Sequence, residues 1–214
     1  MAIFPALQDL PLPSMAEGAA MTVTSHDIYR RASGGFDATV HQIGEAHWDS
    51  PTPCEKWSVH DLVNHVVGED RWIPPLLAGL TIAEVGNSLD GDLLGDDPTQ
   101  AWSTTWAAAL AAADATEPDR IVQLSFGPTA TAEYLWQIAA DHLIHGWDLA
   151  VAIGADHNLD EPSVTAVHDW FVDREEMYRA GGAIAARPPV AADASPQTRL
   201  LAMFGRDNTS KRAT

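Results

Sequence analysis

"TAEYLWQIAADHLIHGWDLAVAIG", residues 131–154, decides the fold. The run is apolar and helix-forming from Thr131 to Ile153, and Gly154 is a natural helix stop. At about 100° per residue, Tyr134, Ile138, Asp141, His145, Asp148 and Ala152 fall on one face. Four ionisable groups, Asp141, His142, His145 and Asp148, lie within about two turns of this core helix. Burying them costs stability unless they are paired or hold something.

Other helices precede and follow it. Ile28, Ala32, Phe36, Val40 and Ile43 recur at three- and four-residue steps, with Gly34 and Gly35 beside that stripe. "WDSPTPCEKW" breaks the chain with two prolines. Ser58 with Asp61 then makes a variant capping box for a helix through Leu62, Val63, Val66 and Val67, which Pro74-Pro75 should end or kink. Asp97-Pro98 opens an alanine-rich helix. "IVQLSF", closed by Gly127-Pro128, is a short strand or hairpin. "EPSVTAVHDWFVDREEMYRAGG" reads as one further helix, and Ser195-Pro196 caps a last short one closed by Gly205. Five or six helices with at most a small β element predict an all-α bundle.

Composition bounds the function. The chain has 214 residues, 46% hydrophobic and 20% charged, the balance of a globular domain with a substantial core. Twelve Lys and Arg against 30 Asp and Glu give a formal charge of −18, which argues against nucleic acid and anionic membranes as partners. No apolar run reaches the length of a membrane helix. A single cysteine, Cys54, excludes an internal disulfide framework and a CxxC zinc site, and suits a reducing cytoplasm. Residues 1–24 read as a flexible extension without a secretory signal, with Met15 and Met21 as alternative starts; the bundle spans 25–208 and a disordered tail 209–214.

Asp141 and His145, one turn apart, can aim at one atom, whereas His142 points about 100° away. On the second helix His65 lies among Leu62, Glu69 and Trp72 and also faces inward. Two imidazoles and a carboxylate from two helices can hold a divalent ion with a coordination position open, the pattern of catalytic rather than structural zinc. The plainer reading is a helix-surface hydrogen bond beside a satisfied core histidine. A ferritin-type site fits less well, because no Glu-x-x-His pair occurs. Cys54 has no local base and reads as a packed thiol, Asp148 as a partner for a ligand imidazole or a cap, and Glu69 as an orienting or solvated group.

"WDSPTPCEKWSVHDLVNHVVGEDRW", "GDLLGDDPTQAW", "DHLIHGWDLAVAIG" and "LLAMFGRD" together resemble an actinobacterial family related to the N-terminal domain of mycothiol-dependent maleylpyruvate isomerase, within the DinB-like superfamily of four-helix metalloproteins. The resemblance spans about residues 25–208. It implies a DinB-like four-helix bundle with a metal on His65, Asp141 and His145, which match the family's His, Glu and His. Asp141 is one methylene shorter than the family's Glu, and the isomerase's second domain has no counterpart here. The implied cofactor is a divalent ion, zinc first, with nickel or iron as alternatives. The implied partners are a low-molecular-weight thiol such as mycothiol and a small electrophile, with a homodimer as one open arrangement. The implied activity is isomerisation or S-transfer; the alternative is a non-catalytic metal- or small-molecule-binding bundle acting in stress response.

Overall fold

The computed structural model describes residues 23–208. Apart from Val23 and Thr24, the N-terminal extension, like the tail at 209–214, lies outside the described residues. Four long helices make the body: α1 (Ser25–Val40), α2 (Val59–Leu77), α4 (Pro98–Asp114) and α5 (Thr131–Ile153). α1 packs on α5 and α4, and α2 packs on the same two, so the four close a ring around one core. Shorter pieces are α3 (Ile82–Val85), α6 (Glu161–Phe171), α7 (Glu175–Ala180) and α8 (Pro196–Met203). A hairpin of β1 (Ile121–Leu124) and β2 (Gly127–Ala130) leads directly into α5. The described residues are thus all-α with one two-stranded antiparallel sheet. No helix among the described residues is long and apolar enough to cross a membrane.

Local chemistry sets the boundaries. Thr24, Ser58, Asp97, Asp160 and Ser195 each accept a backbone N–H at the start of a helix, each such cap contributing about 1 kcal/mol. Gly154 ends α5 in the left-handed conformation at φ 70°, where a side chain would be strained. Between α1 and α4, Phe36 meets Trp102 edge-on at 4.8 Å, while the Trp102 and Trp106 indoles donate to Asp37 and Ser33. Leu62, Val66 and Leu149 close the core around them, fully buried. Each such side chain contributes about 1.5–3 kcal/mol by leaving water.

Two expectations need correction. Pro74 and Pro75 do not end α2, which runs on to Leu77. The missing N–H groups fall in the last turns, where Ala78 still bonds to Pro74 and buried Leu76 and Leu77 hold the end in place. The helix expected across residues 161–182 is two, α6 and α7. The Arg174 side chain takes the Trp170 carbonyl that its own backbone N–H would use in a continuous helix, and that N–H turns to Phe171. Its guanidinium also pairs with Glu133 on α5, so the break is the place where α6 is tied to the bundle.

Candidate metal centre and its pocket

α2 and α5 bring His65, Asp141 and His145 together. His65 Nε2 lies 3.5 Å from Asp141 Oδ2, and His145 Nε2 lies 3.4 Å from Asp141 Oδ1. The two imidazole rings are 5.1 Å apart and nearly perpendicular. One ligand atom from each of the three residues falls within 4.8 Å of the others. A tetrahedral zinc with bonds of about 2.0–2.1 Å separates neighbouring ligand atoms by about 3.4 Å. His65 Nε2 and Asp141 Oδ2 are buried and have no hydrogen-bond partner. Orphaned polar atoms at this spacing suit a cation, so the residues present fit a divalent ion.

Electrostatics agree. Burial alone would raise the Asp141 pKa, but His145 and His65 outweigh it and hold the carboxyl well below its usual range. For His145, burial is overcome by the Asp141 carboxylate, helped by Asp148 and Cys54, and its pKa rises well above the ordinary histidine value. A proton on His145 thus supplies the positive charge that Asp141 demands, and a divalent ion would compete with that proton.

The support behind this trio comes from Asp148, Cys54 and Arg206, and the sequence alone connected only Asp148 to it. Asp148, expected as either an imidazole partner or a cap, is fully buried and accepts from His145 Nδ1 at 3.1 Å. That bond fixes the ring orientation and leaves Nε2 to face Asp141. Asp148 also receives two-point pairing from Arg206, through Nε at 3.1 Å and Nη2 at 2.7 Å. Burial would raise its pKa, but the His145 bond and the Arg206 charge hold it at about 2. Cys54 lacks a base in its own loop, yet the fold places its Sγ 3.1 Å from Asp148 Oδ2, 3.0 Å from Arg206 Nη2 and 3.7 Å from His145 Nδ1. Both Cys54 and Arg206 lie inside the motifs that carried the resemblance; no spacing rule links residues 152 positions apart. Gly205 is needed to present Arg206: its φ is 78°, and a Cβ there would lie 2.7 Å from the Ala185 Cβ.

The remaining polar residues separate cleanly. His142 points away from the trio, fully buried, with Nδ1 against the Ile138 carbonyl and Nε2 3.3 Å from Asp70. Burial opposes its charge, but the Asp70 carboxylate wins and raises its pKa. Glu69 is buried, not solvated. Trp57 stacks obliquely over both site histidines, at 4.8 Å from His65 and 5.7 Å from His145. A cavity of about 500 Å³ opens over the trio, walled by Trp57, Ile144, Ile184 and Phe204 and bordered by Cys54 and Arg206.

A helical bundle with a convergent His, Asp, His cluster on the floor of a pocket defines the class: a bundle with a candidate metal centre. The chain belongs to the family of the mycothiol maleylpyruvate isomerase N-terminal domain, which matches residues 29–150, more than half of its length. Two uncharacterized proteins of Mycobacterium tuberculosis, from strains CDC 1551 / Oshkosh and ATCC 25618 / H37Rv, are each 27% identical to it over 187 residues, covering 83% of this chain and 95% of theirs. No solved structure matches the chain.

Proposed function

We propose that the protein is a cytoplasmic, divalent-metal-dependent enzyme that uses a low-molecular-weight thiol, mycothiol in its natural setting, for S-transfer to or isomerisation of a small electrophile. The convergence of His65, Asp141 and His145 beneath a pocket is the observation that carries this reading, and the family name supports the choice of thiol. These three would hold the ion, with zinc as the first choice. A divalent ion with an open position lowers the pKa of a thiol placed on it, so the thiolate is present at neutral pH.

The chain's own residues do the rest. Asp148 holds the Nδ1 proton of His145 and aims Nε2 at the site. Arg206 neutralises Asp148, which leaves Asp141 to supply the carboxylate charge at the metal position. Trp57, Ile144 and Phe204 place apolar surface beside the pocket floor, and lower local polarity strengthens electrostatic interactions there. The thiol proton leaves to solvent through the open mouth.

The test is cobalt substitution followed by titration with mycothiol. A sulfur-to-metal charge-transfer band is expected, with binding that tightens as pH rises towards the thiol pKa. An unchanged spectrum at millimolar thiol, with cobalt demonstrably bound, rejects thiol activation. It leaves a non-catalytic metal- or small-molecule-binding bundle as the better reading.

A further inference from the structure

We infer that the pocket takes an uncharged electrophile and discriminates against carboxylates, which sets its acceptor apart from maleylpyruvate, the carboxylate-bearing compound of the family name. This names the acceptor class for the site proposed above and rests on that reading. Available positive charge decides the preference. Among the described residues, Arg206 is the one Lys or Arg side chain on the pocket wall. Its Nε and Nη2 donate to Asp148, Nη2 also reaches Cys54 Sγ, and Nη1 donates to the Phe204 carbonyl. Four of the five guanidinium N–H donors are therefore engaged, and the charge is matched by a fully buried carboxylate. Arg179, behind the wall, is likewise held by Glu175 and the Ala185 and Met203 carbonyls.

Negative charge is the surplus. Exposed Glu55 stands at the mouth, and the whole chain carries a formal −18. Asp141 and a bound thiolate together match the two charges of a divalent ion, so a filled site attracts no further anion. Beyond the trio the wall sets apolar Ile144, Ala183, Ile184 and Phe204 beside Cys54, Glu55 and the already paired Arg206. A carboxylate entering there loses its water and gains no unmatched cation, since Asp148 matches Arg206 and Asp141 matches a proton on His145, a costly exchange. An uncharged ring of similar shape loses little and buries its faces.

The experiment compares two nearly isosteric fluorescent probes, naphthalene-2-carboxamide and naphthalene-2-carboxylate, by anisotropy. The full chain is used, once metal-free and once loaded with zinc and saturating mycothiol. The amide should bind at least tenfold more tightly in both forms. Replacing Ile184→Lys places a free ammonium on the wall and should bring the preference to parity or reverse it, with the circular dichroism unchanged. Equal or tighter binding of the carboxylate to the unsubstituted, thiol-loaded protein overturns the inference, as does failure of both probes to bind. A metal-free protein that prefers the amide while cobalt shows no thiol band keeps the selectivity and removes the thiol chemistry, so the two failures are distinguishable.

Discussion

Removing the Asp148 side chain tests whether the support behind His145 is a coupled unit. Its carboxylate has no exposure and the Arg206 side chain retains 17%. Asp148→Ala leaves that guanidinium largely buried with no carboxylate opposite it, and breaking a buried pair from one side costs about 3–5 kcal/mol. Arg206 keeps a route to solvent, so the lower end, about 3 kcal/mol, is expected. Arg206→Met strands Asp148 against Cys54, with no cation but His145, and should cost a similar amount. The double variant strands neither charge, so its loss should fall short of the sum by about 2 kcal/mol or more. Urea unfolding followed by far-ultraviolet circular dichroism, with chelator present to keep metal linkage out, supplies the four free energies. A loss below about 1 kcal/mol in Asp148→Ala, or additivity within about 0.5 kcal/mol, would refute the coupling.

Two further outcomes are expected. His145→Ala should abolish stoichiometric zinc or cobalt binding, read by elemental analysis, while the helical signal persists, because the apolar stripes hold the bundle together; an unfolded variant at room temperature would make the ion structural. Asp160, which caps α6 and pairs with Arg31 of α1, has a pKa lowered to about 2, by the Arg31 bond first. A depressed carboxylate stabilises above its unfolded pKa, and that stabilisation is lost as pH falls through the folded value. Because the pair is partly exposed, its contribution is about 1 kcal/mol, fading between about pH 4 and pH 2. Asp160→Asn should flatten the stability profile in that window, and an unaltered slope would contradict the assignment.

The features legible in the sequence are those that local rules govern. Asp61 answering Ser58, Pro98 after Asp97 and Gly154 after Ile153 fix helix ends through groups within a few residues of each other. The meeting of His65 with Asp141 and His145 was also foreseeable, since inward positions on two core helices have few places to go. Relations across the chain were hidden. The periodicity of residues 161–182 gave no sign that Arg174 would take the Trp170 carbonyl and break the helix. Nothing local to Cys54 announced a base, because that base arrives on α5 and its cation after α8. Pro74 and Pro75 misled for the opposite reason: the local rule is sound, but buried Leu76 and Leu77 override it.

Arg206 also imposes an order of events on synthesis. It follows Asp148 by 58 residues and Cys54 by 152, so α1, α2, α4 and α5 have all left the ribosome's catalytic centre before their counter-charge is made. Until Arg206 docks, a nascent bundle holds Asp148 against Cys54 with only His145 to share its charge. A chain cut before Arg206 keeps the apolar stripes of its four long helices, yet buries Asp148 without its arginine partner.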